Sequence, residues 1–123
     1  MKAGNKQTGA RLRIVLEPDI AIGPGKADIL ESVKETGSIA AAGRRMGMSY
    51  KRAWLLVETM NRCFTAPLVE TSRGGRARGG ATLTPAGETV LACYRRMEDL
   101  TAQAIEDEIA TLRAMMVDIS ERK

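Results

Sequence analysis

Ser38-Ile39-Ala40-Ala41-Ala42-Gly43-Arg44-Arg45-Met46-Gly47-Met48-Ser49-Tyr50-Lys51-Arg52-Ala53-Trp54 is the stretch that decides the fold of this 123-residue chain. It predicts a short alanine-rich helix, a turn through Gly47, and a second helix that begins with two cations. Ser38 is placed to cap the first helix, and Ile39, Ala42 and Met46 line one side of it at spacings of 3 and 4. Gly47 suits the left-handed residue that ends it. Ser49 then caps the second helix, and small side chains at Ala40 to Ala42 let the two helices approach closely. The connection has the length of a tight helix-turn-helix, so Tyr50, Lys51 and Arg52 project outward from the first turn of the second helix.

Charge is distributed in keeping with a polyanionic partner. Lys and Arg number 19 against 15 Asp and Glu, a net charge of +4. The excess is local: Arg44, Arg45, Lys51, Arg52, Arg62, Arg73, Arg76 and Arg78 face only Glu58 and Glu70 within residues 44–78. Glu98, Asp99, Glu106, Asp107 and Glu108 cluster later. A basic patch of this kind predicts a nucleic-acid footprint. An isolated Lys-Arg pair reads as a solvated helix face. Directly after the capping serine of a helix-turn-helix, Lys51 and Arg52 instead predict contact with duplex DNA.

At this length one domain is expected, with 44% apolar residues for a core and 3% aromatics, too few for a richly lined metabolite pocket. Cys63 and Cys93 stand 30 residues apart in a chain without histidine, so no zinc site and no Cys-His nucleophile is expected, and both read as small core residues. The same lack of histidine, of a paired-carboxylate cleft and of a nucleotide-binding glycine loop predicts no enzyme, no catalytic residue, no metal and no cofactor. No apolar run has the length of a membrane span and no signal peptide is evident, which predicts a cytoplasmic protein without a membrane partner.

Three segments are expected: a disordered tail over 1–10, a DNA-binding unit over 11–83 and a long helix over 84–123. Arg11 to Glu17 alternates as a strand, Ile20, Ala21 and Ile22 read as an apolar link, and a helix runs from about Lys26 to Thr36, stopped by Gly37. The second helix of the motif runs from Tyr50 to about Phe64, with Ala53, Leu56, Val57 and Met60 facing the core and Trp54 anchoring beside them. A strand from Pro67, a tip over Ser72 to Gly80 and a strand over Ala81 to Leu83 predict a hairpin wing. Its tip carries four glycines with Arg73, Arg76 and Arg78, suited to a phosphate ridge or a minor groove. Thr84 and Pro85 then start a helix expected to continue unbroken to about Ser120. Its apolar residues change face midway. Val90, Tyr94 and Met97 should cover the core, while Ile105, Ile109, Leu112, Met116 and Ile119 form a seam for a second copy. The fold class is therefore α+β, mostly α: a winged helix-turn-helix with a long C-terminal dimerisation helix.

Gly37-Ser38-Ile39, Ser49-Tyr50-Lys51-Arg52-Ala53-Trp54, Met60-Asn61, Leu68-Val69-Glu70, the Gly/Arg wing and Leu83-Thr84-Pro85-Ala86-Gly87 together resemble the N-terminal DNA-binding domain of the ModE family of molybdate-responsive transcriptional regulators. The resemblance spans about residues 12–115. LysR-type regulators share the winged-helix plan and the Leu-Thr-Pro-x-Gly helix start. Full-length ModE proteins continue into a molybdate-binding region of small β-barrel repeats, and the resemblance stops where that region would begin. The resemblance thus implies a homodimer on a double-stranded DNA operator, regulating molybdenum-related genes, without tight molybdate binding by this chain. Ser49, Tyr50, Lys51, Arg52, Arg73, Arg76 and Arg78 are the expected DNA contacts. The alternative is a protein-interaction or adaptor module working through its C-terminal helix. RNA binding is disfavoured because Tyr50, Trp54, Phe64 and Tyr94 are expected to offer no exposed stacking platform.

Overall fold

The computed structural model describes residues 9–72 and 80–117. Ile14–Glu17 (β1) and Ile20–Ile22 (β2) form an antiparallel hairpin with Ile14 opposite Ile22 and an irregularity between Val15 and Glu17. The expected apolar link is therefore a strand, because its backbone groups find partners in β1. Helix α1, Pro24–Thr36, starts two residues before the expected Lys26, with proline in its first turn, where the missing N–H costs nothing. Gly37 ends it at φ 74°, donating its N–H to the Val33 carbonyl at 2.8 Å.

Helix α2, Ile39–Arg45, opens on the Ser38 hydroxyl, which accepts from the Ala41 N–H at 3.0 Å. Gly47 takes the left-handed conformation at φ 73° and turns the chain into α3, Tyr50–Cys63. The Ser49 hydroxyl accepts from the Arg52 N–H at 3.1 Å. Both caps and the turn follow the expectation. The close approach of α2 to α3 depends on a different residue, however. A Cβ on the buried Gly43 would lie 3.0 Å from the Ala53 Cβ and 3.3 Å from the Met48 carbonyl oxygen, so Gly43, which the expected set of Ala40 to Ala42 left out, limits the spacing.

Strands β3, Val69–Ser72, and β4, Gly80–Leu83, pair antiparallel with Val69 opposite Leu83 and Ser72 opposite Gly80, the expected wing. The wing is fastened at its root. The Asn61 side chain at the end of α3 accepts from the N–H groups of Leu68 (2.8 Å) and Val69 (3.1 Å) and donates to the Val69 carbonyl (3.1 Å). The Ala81 N–H donates to the Gly37 carbonyl at 2.9 Å, which sets β4 beside the turn that ends α1. Thr84 caps α4, Pro85–Ala104, by accepting from the Gly87 N–H, and its hydroxyl donates to the Pro67 carbonyl at 2.6 Å.

The expected unbroken helix is two helices. The chain turns at Ile105 (φ −106°, ψ 11°) and resumes as α5, Glu106–Ala114. Glu106, Asp107 and Glu108 occupy the first turn of α5, where the positive end of the helix dipole favours carboxylates, so a new helix start at this point is electrostatically supported. Helix α4 alone, with 20 residues, spans about 30 Å.

The core gathers Ala27, Ile29, Leu30 and Val33 of α1, Ile39 and Ala42 of α2, Ala53, Val57 and Met60 of α3, Leu68, Val69 and Ala81 of the wing, and Leu91 and Tyr94 of α4. Tyr94 is fully buried and its hydroxyl donates to the Leu12 carbonyl at 2.6 Å, which ties α4 to the N-terminal segment. Burial pushes this hydroxyl above the usual tyrosine range. Next to it, Arg95 bonds Asp28 and Glu31 of α1 and Glu98 of α4 at 2.6 to 3.0 Å. Burial works against the guanidinium charge, but the bonds to Asp28, Glu98 and Glu31 outweigh it and raise the group above the ordinary arginine value. Cys63 is half-buried and Cys93 exposed, both as free thiols. The reading of Cys93 as a core residue is thus corrected: it lies on the side of α4 turned away from Leu91 and Tyr94.

Candidate nucleic-acid interface

The geometry of α3 follows from which of its residues the core takes. Ala53, Val57 and Met60 are buried, and at 100° per residue the opposite side of the helix carries Lys51, Leu55 and Arg62. Lys51, Arg52 and Arg62 are all exposed. Tyr50, the first residue of the helix, is 58% exposed. Ser49 is exposed but its hydroxyl is occupied by the cap. The first turn of α3 contains no acidic residue, and Glu58 is the one carboxylate of the helix and is half-buried.

Two further cations end the preceding helix, α2. Arg44 is exposed in the last turn of α2, and Arg45 beside it forms an ion pair with Glu35 of α1. Four expected contacts are thus brought together at the start of α3: Ser49, Tyr50, Lys51 and Arg52. Arg73, Arg76 and Arg78 lie outside the described residues. The strands that lead to them, β3 and β4, leave the core beside Asn61 at the far end of α3.

Trp54 departs from the expectation. It is 39% exposed rather than an anchor in the core, and it follows Tyr50 by one helical turn. The sequence misleads here because Trp54 borders the stripe of Ala53 and Val57, and at 100° per residue a neighbour of the stripe lies on its flank or beyond. Tyr50 and Trp54 therefore do present aromatic surface, contrary to the expected lack of an exposed platform. Leu55, half exposed at 49% on the outer face, was not singled out from the sequence. Its spacing of 2 from both Ala53 and Val57 was the available signal, since that offset puts a helical residue on the far side.

The candidate dimer residues are graded in exposure. Ile105 and Ile109 are half-buried, Leu112 is 61% and Met116 52% exposed, and Ile119 lies outside the described residues. No residue of α5 is buried. Among the described residues no group of three or more potential ligands is arranged to hold a metal ion, and no helix is long and apolar enough to cross a membrane.

Comparison with known proteins locates this arrangement. The family of bacterial regulatory helix-turn-helix proteins of the LysR family matches residues 26–88, from α1 to the start of α4. Among curated proteins, the chain is 43% identical over 93 residues to the molybdenum-pterin-binding protein MopB of Rhodobacter capsulatus, covering 76% of this chain and 31% of that protein. It is 32% identical over 114 residues to the transcriptional regulator ModE of Haemophilus influenzae, covering 90% and 45%. The DNA-binding transcriptional dual regulator ModE of Escherichia coli is 28% identical over 113 residues, covering 89% and 43%. The chain therefore spans less than half the length of these relatives. Among solved structures, the DNA-binding domain of CbnR in complex with DNA superposes with TM-score 0.56 at 25% identity, covering 72% of this chain and 95% of that one. LysG of Corynebacterium glutamicum shares the fold with TM-score 0.56 at 23% identity, covering 78% and 31%.

Proposed function

The chain belongs to the LysR-type family of bacterial regulatory helix-turn-helix proteins, and from that membership we propose that it is a sequence-specific DNA-binding regulator of transcription, acting as a homodimer on molybdenum-related genes. The observation that carries this reading is the exposed, cation-bearing outer face of α3, held out by the helix-turn-helix that the family match covers. Relatives named as ModE and MopB support the link to molybdenum.

In this reading α3 enters the major groove, with Lys51 and Arg52 at its leading end and Tyr50 beside them, while Ser49 keeps the helix start rigid. Arg73, Arg76 and Arg78 extend the contact from the wing to the phosphate backbone or a minor groove. The apolar positions Ile105, Ile109, Leu112, Met116 and Ile119 pair with a second copy, so that two α3 helices address half-sites about one helical turn apart, roughly 34 Å, or a multiple of it. The 123 residues do not bind molybdate tightly. In support, the Ser38, Ser49 and Thr84 hydroxyls each engage one first-turn N–H of α2, α3 and α4, which leaves fewer donors there for an oxyanion.

Binding to duplex DNA and to single-stranded RNA, each titrated with salt, tests the DNA reading. A steep loss of affinity with salt together with selection among duplex sequences is expected. Equal binding of both nucleic acids without sequence selection overturns it. Calorimetric titration with molybdate, with sulfate as control, tests the last point, and a saturable micromolar heat specific to molybdate would refute it.

A further inference from the structure

We infer that Trp54 and Leu55 read thymine methyl groups in the major groove and thereby give this protein a preference for A·T pairs at defined positions of each half-site. The inference rests on the DNA-binding reading and specifies what its central helix recognises. The outer side of α3 is chemically divided. Lys51, Arg52 and Arg62 are cations matched to phosphates, yet between them lie an indole and an isobutyl group that are 39% and 49% exposed. Neither side chain contributes to the core of its own domain. Leu55 is almost diametrically opposite the buried stripe of Ala53, Val57 and Met60, on the side that a groove would receive. Trp54 stands beside it, one turn after Tyr50.

Phosphates and the hydrogen-bonding edges of guanine and cytosine offer nothing to the Leu55 isobutyl group and, of the Trp54 indole, can engage only the N–H and not the apolar ring. The floor of the major groove presents one apolar group, the 5-methyl of thymine, and alkyl or aromatic contact is how it is recognised. A protein partner would cover the same apolar patch, but the surrounding charge argues for a polyanion. Lys51, Arg52 and Arg62 share the exposed side of α3 with the patch, against one half-buried carboxylate, Glu58, next to it, and no acidic residue is present in the first turn of α3.

Duplexes selected from a random pool by the intact protein provide the test, each thymine of the selected site being replaced singly by deoxyuridine, which removes the methyl group and leaves base pairing unchanged. One or more positions per half-site should then bind about fourfold more weakly, the worth of one buried methyl group. Trp54→Ala or Leu55→Ala should abolish that uracil sensitivity at its own position while keeping the salt dependence of the unmodified protein. Affinity indifferent to uracil at every position overturns the inference and leaves the DNA-binding reading standing, as does a sensitivity that persists unchanged in both variants. Failure of any duplex sequence to be enriched overturns the DNA-binding reading and this inference with it.

Discussion

Lys51→Ala and Arg52→Ala are each expected to weaken operator binding while leaving the unfolding midpoint unchanged, because both side chains are exposed. A residue that reads a guanine edge should relax discrimination by about 1–3 kcal/mol at one base pair, whereas a phosphate contact should weaken all sequences alike. Two silent substitutions in an electrophoretic or anisotropy assay would mean that another surface meets the DNA. Asn61 is the counterpart with a purely architectural task. Asn61→Ala removes three hydrogen bonds to the root of the wing and leaves the Leu68 and Val69 amides unpartnered, which should cost about 2–3 kcal/mol in urea unfolding. A loss under about 0.5 kcal/mol would show that water replaces the amide without penalty. Caps of this chain are legible from the order of residues because Ser38, Ser49 and Thr84 each act on an N–H three positions away. Asn61 is not legible in this way, since its partners lie seven and eight residues on, across a turn. Exposure of Trp54 and burial of Gly43 likewise depend on which neighbouring helix arrives.

Among the elements of secondary structure, the wing and the last helix carry separable expectations. Replacing Arg73, Arg76 and Arg78 together with alanine should lower affinity and flatten the slope of log affinity against log salt, by about 0.9 for each phosphate that the wing no longer neutralises. Sequence preference should survive, and an unchanged slope would place the wing away from the DNA. Truncation after Thr101 removes α5 and Ile105 but keeps Leu91, Tyr94 and Met97 against the core, so a folded monomer is expected in sedimentation. A truncated chain that still sediments as a dimer at micromolar concentration would refute the seam. Helix α1 was legible from its glycine stop at Gly37, α2 from Ser38 and Gly47 on either side, and α3 from its cap at Ser49. The turn at Ile105 was not, because the spacing of apolar residues passes through it undisturbed and no proline or glycine marks it. Strand β2 escaped for a related reason: three residues carry too little pattern to reveal a partner, and only pairing with β1 makes them a strand.

Across the fold, Tyr94 ties the middle of α4 to the N-terminal segment through its bond to the Leu12 carbonyl, 82 residues away. Its folded-state value lies above the usual tyrosine range, chiefly through burial, so the protonated form is favoured by folding. Stability from this group is fully present below about pH 10, the unfolded value, and is lost as pH rises through the folded value. Unfolding free energy should therefore fall from about pH 10 upward, and Tyr94→Phe should be less stable at neutral pH but lack that component of the alkaline loss. An identical alkaline profile in the variant would assign the loss to other groups. Arg95, with Asp28, Glu31 and Glu98 around it, joins α1 to α4 on the same side of the core. None of these long-range ties can be read along the chain, since they join residues whose local patterns are complete without them. The order of residues by itself settles the caps, the left-handed glycines and hence the winged helix-turn-helix, all of which depend on interactions within a few positions. The tertiary structure decides which side chains the core accepts. By burying Ala53, Val57 and Met60 it turns Lys51 and Leu55 outward, and by taking Tyr94 and Leu91 while leaving α5 uncovered it separates the face that completes the domain from the face that remains open to another molecule.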